Sequence, residues 1–359
     1  MNLSDFVLDF LIAKKIKNVF LITGGAISFM VDSFSRRKKI KYTCVAHEQA
    51  AAMMADAYSR VGPNLSCTMV TSGPGATNLI TGIACSWFDS IPSIHITGQV
   101  NSYEKQGAQP GTKKTRQIGF QETDIVSITK PITKFSYQLK NPNEIKYILD
   151  KAVHLATSGR PGPVLIDIPM DFQKAEINPK NLKKFIPLKD KIKKNLLKFK
   201  VKKTITLLNK AKRPVIILGG GLKISKSEKE LLESLKKIRI PIVTTWSGVD
   251  LIDHKDKFYV GNVGVYGSRA ANFAVQNSDV LLCLGSRLDT RITGGVPSSF
   301  ARESKVIVVD IDKNELSKKR GLNIHLKINF NLKDFLICFK KNLIKKGIDK
   351  KEWSKICLN

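Results

Sequence analysis

A glutamate at the start of a predicted helix is the first residue in this chain whose position suggests chemistry. Glu48 lies in the run HEQAAA that begins at His47, directly after a predicted strand over residues 41–46. A carboxylate that enters a helix at the end of a buried strand is poorly solvated and normally needs a partner. Glu48 is therefore a candidate catalytic or cofactor-binding residue, although the helix dipole alone also stabilises a carboxylate at this position.

A glycine-containing turn follows about one strand and one helix later. The run TSGPGATN, from Thr71 to Asn78, joins a predicted strand to a predicted helix. Glycines such as Gly73 and Gly75 allow the backbone to approach a ligand closely. Together with Glu48, this turn predicts a cofactor site.

The elements that must position these residues alternate regularly along the chain. Apolar, β-rich runs are separated by helical stretches, which predicts parallel sheets covered by helices on both faces. We therefore expect an α/β protein with two doubly wound parallel-sheet domains. The strands are predicted at 19–23, 41–46, 67–71, 93–98, 126–129, 164–168, 214–218, 242–244, 280–284 and 306–310, and the helices begin near Ala26, Glu48, Pro74 and Pro142.

Composition divides the chain into parts. Its 359 residues suffice for two separate cores. We predict a first domain at 1–173, a Lys-rich linker at 174–203, a Rossmann-like central domain at 204–340 and a basic tail at 341–359. Residues 101–119, which are polar and glycine-rich, are expected to form a mobile loop near the site.

Charge and cysteine content limit the functional classes. No apolar run reaches the roughly 18 residues of a membrane helix, so we expect a cytoplasmic location and no membrane partner. The six cysteines form no CxxC pair and are interpreted as reduced packing residues. The net charge of +30 is spread over linker, helix faces and tail with few aromatics interleaved, which favours a solvated surface over nucleic-acid binding.

The chain from His47 to Gln99 resembles the pyrimidine-binding domain of thiamine-diphosphate enzymes, above all the acetolactate synthase large subunit. The stretch from Asn262 to Gly294 and the run VIVVDIDKNEL from Val306 are similar to the central domain of the same family. The resemblance implies decarboxylation of a 2-oxo acid such as pyruvate and carboligation to 2-acetolactate, in branched-chain amino acid biosynthesis. It also implies a homodimer or higher oligomer, with a small regulatory subunit as a further partner.

The same resemblance assigns roles to residues of the first domain. Glu48 would hydrogen-bond N1′ of the aminopyrimidine and thereby promote loss of the thiazolium C2 proton. Pro74 and Asn78 would line the thiamine pocket, and Gly25 would lie close to the reacting carbonyl. Phe120 and Gln121 match a run that reaches the active site across a subunit boundary, Phe120 at the substrate and Gln121 in catalysis.

In the central domain the resemblance implies FAD or another nucleotide. Strand-end glycines admit a pyrophosphate, arginines neutralise it, and a strand-end carboxylate can bind ribose hydroxyls. The glycines alone are equally consistent with tight turns of an α/β fold. The residues that match family positions are Arg160, Gly220, Gly221, Tyr266, Gly267, Gly285, Arg287, Asp289, Arg291 and Asp310, with Tyr266 standing where the synthases usually carry histidine.

Several features depart from the family pattern. Met170 stands where the synthases typically have lysine, and the loop 101–119 is longer than usual, so another thiamine-dependent 2-oxo-acid decarboxylase or lyase stays open. The Gly-Asp-Gly start of a third domain, which binds the diphosphate through Mg²⁺, does not occur in the sequence, and we predict no metal ligands in this chain. We therefore expect it to be inactive alone: a fragment of a synthase, a chain completed by a separate polypeptide, or a noncatalytic nucleotide-binding or oligomerisation module.

Overall fold

Parallel strands that alternate with helices form two separate units in this chain. The computed structural model describes residues 1–62, 65–188, 193–343 and 347–358, and its units comprise residues 1–189 and 190–359. The α/β class with two parallel sheets is confirmed. The division lies beyond residue 173, where the sequence predicted the end of the first domain.

The first unit contains a parallel sheet of six strands in the order β2-β1-β3-β4-β6-β5. Its strands are β1 (Asn18–Leu21), β2 (Lys41–Cys44), β3 (Ser66–Val70), β4 (Ser93–Gln99), β5 (Phe135–Gln138) and β6 (Val164–Pro169). Its helices are α1 (Leu3–Ala13), α2 (Ser28–Arg36), α3 (Glu48–Val61), α4 (Pro74–Asn78), α5 (Ile80–Asp89), α6 (Ile125–Thr129), α7 (Ile145–Thr157) and α8 (Met170–Gln173). Strands β3, β4 and β6 are buried along their whole length, as expected where helices cover both faces of a sheet.

The segment after α8 packs on the first unit, although the sequence predicted a linker from residue 174. Ile177 donates its backbone N–H to the carbonyl of Met1 at 2.9 Å, and Leu182 is buried. The ring of Phe185 meets Tyr147 of α7 edge-on. Apolar side chains hold this segment down despite its lysines, and the part of the predicted linker at 189–192 lies outside the described residues.

The second unit contains another parallel sheet of six strands, in the order β10-β9-β7-β11-β12-β13, and a pair of short strands, β14 and β8. Its strands are β7 (Pro214–Leu218), β8 (Ile238–Arg239), β9 (Ile242–Thr244), β10 (Tyr259–Asn262), β11 (Val280–Leu284), β12 (Lys305–Asp310), β13 (Leu326–Asn329) and β14 (Ile348–Asp349). Its helices are α9 (Lys194–Lys210), α10 (Gly221–Ile224), α11 (Glu228–Leu235), α12 (Arg269–Gln276), α13 (Thr290–Thr293), α14 (Lys313–Ser317), α15 (Leu332–Asn342) and α16 (Lys351–Leu358). Counted from β7, the strand order is that of the Rossmann fold.

The predicted basic tail is part of this second unit. Ile348 pairs with Ile238 in β8, Trp353 donates its indole N–H to the carbonyl of Pro214 at 3.1 Å, and Cys357 is buried. One apolar face on α16 explains the packing, because its lysines can remain in water while Trp353 and Cys357 are covered. Residues 344–346 and 359 of the predicted tail lie outside the described residues.

Two short elements of the first unit differ from the sequence prediction. Residues 126–129 were predicted as a strand but belong to α6, which Asp124 caps by accepting the N–H of Ser127. The apolar pattern of such a short run fits either a helix or a strand. Strand β5 was not predicted, because it has only four residues, FSYQ, whose side chains are half-buried and do not form an apolar run.

No helix in the described part of the chain is long and apolar enough to cross a membrane. The predicted cytoplasmic location remains a prediction.

A buried histidine lies in the centre of the first sheet. The ring of His95 in β4 contacts the hydroxyl of Thr68 at 2.8 Å through Nδ1 and that of Ser93 at 2.9 Å through Nε2. Burial lowers the pKa of His95 to about 3. The hydroxyls satisfy the neutral ring, so His95 stabilises the interior without charge.

A buried carboxyl group lies nearby in β6. Asp167 is fully buried and accepts hydrogen bonds from Thr97, Gln99 and Gln138. Burial raises the pKa of Asp167 to about 6, although these hydrogen bonds lower it. Asp167 and His95 thus titrate in the folded chain at pH values displaced in opposite directions from their ordinary ones.

These two groups should give the first unit opposing pH dependences. The unfolded chain protonates His95 below its ordinary pKa of about 6.5, so this residue costs stability as the pH falls from there towards 3. Asp167 keeps its proton in the folded chain up to about pH 6, so it costs stability as the pH rises from its ordinary value of about 3.9. Between about pH 4 and 6 the two opposite slopes of stability against pH should largely cancel.

We predict that single substitutions will separate the two effects. When the pH is lowered from 6 to 5, the free energy of unfolding of His95→Asn should rise relative to that of the unsubstituted chain. That of Asp167→Asn should fall. Each change should be about 1.4 kcal/mol per pH unit. Native-state hydrogen exchange of the β3 and β4 amides measures this for the first unit alone. Equal pH slopes in all three proteins would show that the groups do not titrate in this way.

Candidate functional site

The first unit has a natural site where its chain connections diverge. Strands β1 and β3 are neighbours, and β2 lies on the far side of β1, so the loops that follow β1 and β3 lead away from a common point. At such a switch point the carboxyl ends of parallel strands leave a crevice for ligands. Here the amide of Ala26 donates to Thr71 Oγ1 at 3.2 Å, and a Cβ on Gly24 would lie only 2.5 Å from that of Thr71.

Glu48 is the first residue of α3 at this edge. Its Oε2 accepts a hydrogen bond from Asn78 Nδ2 at 2.8 Å. Its Oε1 has no hydrogen-bond donor among the described residues and lies 3.4 Å from the position of a Cβ on Gly75. One carboxylate oxygen is therefore fixed by the chain, while the other can accept a hydrogen bond from a ligand.

The surroundings of Glu48 are more open than the sequence predicted. Strand β2 is an edge strand with mostly exposed side chains, and Glu48 itself is half-buried. The expectation of a buried strand is wrong for this chain, because β2 pairs with β1 on one side only. The partner that a carboxylate at this position needs is Asn78.

Close packing between α3 and α5 fixes the orientation of the helix that carries Glu48. A Cβ on Gly82 would lie 2.3 Å from the Cβ of Ala52, so only glycine permits this approach. His47 caps α3 by accepting the N–H of Gln49 at Nδ1, 3.1 Å away. The start of α3 is thus held both by its cap and by a neighbouring helix.

The turn that carries Asn78 also receives Gln121. Gly73 has φ +58°, a backbone conformation that favours glycine, and a Cβ there would lie 2.7 Å from the Cβ of Gln121. Gln121 has φ +59° and is half-buried, whereas Phe120 is 83% exposed. The structure therefore brings Gln121 to the turn and leaves Phe120 in solvent.

The two remaining predicted residues of this site are both accessible. Gly25 is exposed, and nothing lies within 4 Å of the position of a Cβ there. Pro74 is exposed at the first position of α4, where its missing N–H is not required. Both lie on the loops that follow β1 and β3, at the same edge as Glu48.

Sequence reasoning missed the buried group that supports the segment carrying Gln121. Asp167 accepts from Gln99 Nε2 at 3.0 Å, and the same amide donates to the carbonyl of Thr123 at 2.9 Å, two residues after Gln121. Gln138 Nε2 donates to Asp167 at 2.6 Å, and its Oε1 accepts from Lys105. One buried carboxyl group thus supports both ends of the segment between β4 and α6. The only sequence signal is an aspartate within the apolar run VLIDIP.

The second unit has its own switch point, between β7 and β11. The loop from Gly219 to Gly221 crosses Gly285 so closely that a Cβ on Gly219 would lie 2.3 Å from the carbonyl oxygen of Gly285. Gly285 has φ +67°. Packing within the chain accounts for these glycines, and it leaves the loop backbone at the edge where the fold binds nucleotides.

Charged and aromatic side chains surround this second switch point. Arg291 Nη1 donates to the hydroxyl of Tyr266 at 3.2 Å, and Trp246 meets the Tyr266 ring edge-on. Arg287 pairs with Asp289 at 3.3 Å. Tyr266 is 72% exposed and Gly267 closes a tight turn beside it, so an aromatic face and two guanidinium groups are accessible at this edge.

A narrow cavity extends this cluster towards β12. Asp310 at the end of β12 accepts the N–H of Asp312 at 2.8 Å, and Arg287, Asp310 and Arg320 all line the cavity. The Nη2 atom of Arg320 is buried and has no hydrogen-bond partner in the described chain. Burial lowers the pKa of Arg320, while nearby Asp289 and Glu315 raise it. Sequence reasoning missed Arg320, because one more arginine in a Lys-rich segment gives no signal.

Arg160, the remaining residue assigned to the flavin, lies in the first unit. Its Nε donates to Ser90 Oγ at 2.8 Å. Its role at a nucleotide remains a prediction. In the described ranges, no group of three or more His, Cys, Asp or Glu residues could hold a metal ion.

Comparison with known proteins places both units in one family. Residues 1–128 match the thiamine pyrophosphate enzyme N-terminal TPP binding domain, and residues 201–337 match the thiamine pyrophosphate enzyme central domain.

The relatives are large subunits of one enzyme. The chain is 38% identical to the acetolactate synthase large subunit of Cyanidium caldarium, over 93% of this chain and 57% of the relative. It is 38% identical to that of Corynebacterium glutamicum, over 85% of this chain and 47% of the relative. It is 35% identical to the acetolactate synthase isozyme 2 large subunit of Escherichia coli K12, over 92% and 58%.

The chain spans about half the length of the curated relatives it matches. The two domain matches and these relatives agree with the geometry of the first unit. There, two residues that the sequence predicted for the thiamine site, Glu48 and Asn78, are hydrogen-bonded to each other at the switch point. The chain belongs to the thiamine pyrophosphate enzyme family and is homologous to acetolactate synthase large subunits.

Proposed function

We propose that this chain provides the aminopyrimidine side of a thiamine-diphosphate site for acetolactate synthase-like decarboxylation and carboligation of 2-oxo acids, with pyruvate as substrate. The observation that carries the proposal is that the Glu48 carboxylate accepts a hydrogen bond at only one of its two oxygens within the described chain. Asn78 binds Oε2 and no described group donates to Oε1, so Glu48 can accept a hydrogen bond from a ring nitrogen. The relatives are acetolactate synthases, which supports the reaction class.

The residues around Glu48 suit an aromatic heterocycle. Gly75 leaves the carboxylate uncovered, since a Cβ there would approach both Thr71 and Oε1. Gly25 leaves open space on the neighbouring loop, where a main-chain N–H could stabilise developing negative charge on a carbonyl. When bound, thiamine diphosphate supplies the carbanion chemistry that decarboxylation requires. The chain contributes the polar contact that orients the ring and adjusts its protonation.

The diphosphate and its Mg²⁺ would be held by residues outside those that line this edge. Magnesium prefers oxygen ligands and usually bridges carboxylates and phosphates. Active protein therefore requires a diphosphate-binding region in addition to the two units, and a small regulatory subunit is a further proposed partner.

The first test concerns Glu48. We expect purified chain, supplied with the diphosphate-binding region of a synthase, to decarboxylate pyruvate. Glu48→Gln should lower that rate by a factor of about 10² to 10⁴. A glutamine amide, unlike a carboxylate, does not share a proton with a ring nitrogen of the cofactor. The rate of pyruvate consumption measures the effect.

The control for this test is Glu303→Gln, an exposed carboxylate in the second unit, which should leave the rate unchanged. Full activity in Glu48→Gln would contradict the proposed role. Binding of nucleotide without turnover in any reconstitution would instead support a noncatalytic module.

We also propose that two copies of the chain meet through the exposed side of α3 and α5. Met53 and Met54 on α3 are 40% and 43% exposed, and Phe88 on α5 is 60% exposed. Large apolar side chains that are exposed on two neighbouring helices are typical of protein interfaces. Because Glu48 is the first residue of α3, dimerisation through this helix would shield Glu48 from water.

Substitution at this surface should separate the copies. We expect the unsubstituted chain to be at least a dimer in light-scattering measurements, and the double variant Met54→Glu/Phe88→Glu to be a monomer, because burying two carboxylates costs several kcal/mol. Leu232→Glu, at a 47% exposed position of the second unit, is the matched control. A monomeric unsubstituted chain would refute the interface.

For the second unit we propose a nucleotide site, with FAD as its occupant. The support is the cluster of Tyr266, Arg287 and Arg291 at the switch point, with the strand-end carboxylate of Asp310 nearby. Guanidinium groups neutralise a pyrophosphate, and a strand-end carboxylate binds ribose hydroxyls. Glycines 220, 221 and 285 keep the backbone close together at this edge.

The flavin proposal has a direct readout. Purified chain, after incubation with FAD and gel filtration, should retain the visible absorbance of flavin, and Arg291→Gln should lower the retained amount by about tenfold through the loss of a charged contact. Arg302→Gln, at an exposed position away from the cluster, should retain flavin normally. A colourless unsubstituted chain that retains ADP would favour a plain nucleotide instead.

A further inference from the structure

Two exposed aromatic rings meet at the edge of the second unit where its chain connections diverge. The ring centroids of Trp246 and Tyr266 lie 5.7 Å apart, and the ring planes are inclined at 72°. Trp246 is 52% exposed and Tyr266 is 72% exposed. Large aromatic side chains that remain in solvent leave much apolar surface uncovered, so a ligand that covers these two rings gains free energy by doing so.

Trp246 is fixed beside the glycine loop of this unit. It follows β9, and the amide of the preceding residue, Thr245, donates to the carbonyl of Leu218 at the end of β7, 2.9 Å away. On the other side of the indole, the Cβ of Ser247 lies 2.7 Å from the position of a Cβ on Gly220. The backbone on both sides of Trp246 is therefore packed against β7 and the loop that follows it.

Tyr266 is fixed by a tight turn and by an arginine. The amide of Gly267 donates to the carbonyl of Gly264 at 2.9 Å, which closes the turn around Tyr266. The amide of Val265 donates to the carbonyl of Arg291 at 2.8 Å, and the guanidinium of Arg291 donates to the Tyr266 hydroxyl at 3.2 Å. The phenol is thus held at its backbone and at its hydroxyl, while most of its surface is exposed.

The geometry of the two rings suits a third, planar ring. Aromatic rings prefer offset-stacked or edge-to-face contacts. Because the planes of Trp246 and Tyr266 are steeply inclined to each other, a planar ring that stacks on one of them meets the other edge-on. A ligand ring at this position makes both of the preferred contacts.

The order of the strands indicates which ring of a flavin nucleotide reaches these side chains. Asp310, the proposed ribose-binding carboxylate, ends β12, whereas Trp246 follows β9. Strands β11 and β7 lie between β12 and β9, so the two strand ends are separated by about 14 Å. Adenine is bonded directly to the ribose and does not span this distance. The isoalloxazine ring lies on the far side of the pyrophosphate and can reach it.

We propose that Trp246 and Tyr266 hold the isoalloxazine ring of FAD, one by stacking and the other by an edge-on contact. This inference rests on the proposed flavin site of the second unit. It makes both side chains specificity-determining residues, which select FAD over nucleotides that share its adenosine and pyrophosphate but lack the flavin ring.

The test compares two probes that differ in this ring. ADP-ribose shares the adenosine and the pyrophosphate of FAD and has a sugar in place of the flavin-bearing chain. In calorimetric titrations of the full chain, FAD should bind about tenfold more tightly than ADP-ribose, the size expected of the aromatic contacts. Trp246→Leu should remove this preference by weakening FAD binding alone, and Trp246→Phe, which keeps an aromatic ring, should retain most of it.

A second variant and a matched control locate the preference. Tyr266→Leu, at the more exposed of the two positions, should also reduce it. Phe273→Leu removes a ring that is 54% exposed on α12 of the same unit, and it should leave both affinities unchanged. Equal losses of FAD and ADP-ribose affinity in Trp246→Leu and Tyr266→Leu, or the same loss of preference in Phe273→Leu, would overturn the inference.

The outcome is separable from that for the proposed flavin site. Binding of both probes with equal affinity to the unsubstituted chain would defeat this inference and leave a nucleotide site in place. A preference for FAD that persists in Trp246→Leu and in Tyr266→Leu would keep the flavin site and defeat the role of the two rings. No binding of either probe would defeat both proposals.

Discussion

The divergence of the chain connections at one edge of each sheet is the constraint on which the rest of this structure depends. Parallel strands place every following loop at the same edge, and neighbouring strands whose crossovers leave in opposite directions open a crevice there. In the first unit this happens between β1 and β3, where Ala26 binds Thr71. In the second it happens between β7 and β11, where Gly219 meets Gly285. Both candidate sites follow from topology before any side chain is considered.

Much of this arrangement could be predicted, because buried parallel strands consist of runs of apolar residues in the sequence. The strands β3, β4, β6, β7 and β11 were found from such runs, and Glu48 and Asn78 were placed together through the resemblance. What failed was local and ambiguous: residues 126–129 form a helix, and β2 is an exposed edge. Exposure depends on what pairs with a strand in space, and a sequence window does not contain that information.

The buried polar network shows a different limit of sequence reasoning. Asp167 is remote in sequence from Gln99 and Gln138, and only the packed sheet brings their side chains together. The pattern VLIDIP reads simply as a strand with one polar residue. Networks of this kind are specified by tertiary contacts between strand ends, so local periodicity gives no indication of their partners.

The two carboxylates at the edge of the first sheet differ in how their oxygens are used, and this difference separates support from chemistry. Asp167 is fully buried and receives hydrogen bonds at both oxygens, from Thr97 at Oδ1 and from two glutamine amides at Oδ2. A group satisfied in this way has little capacity left for a ligand, and it stabilises the loops that it connects.

Glu48 has the opposite character. It is half-buried, and Asn78 fixes one oxygen while the other meets no described donor. The fixed oxygen sets the orientation of the carboxylate without exhausting its hydrogen-bonding capacity. A carboxylate that is held at one oxygen and unsatisfied at the other is organised before the ligand arrives, so little ordering of the side chain remains to be done on binding. For this reason we propose that Glu48 makes the reactive contact in the first unit, whereas Asp167 supports the segment that carries Gln121.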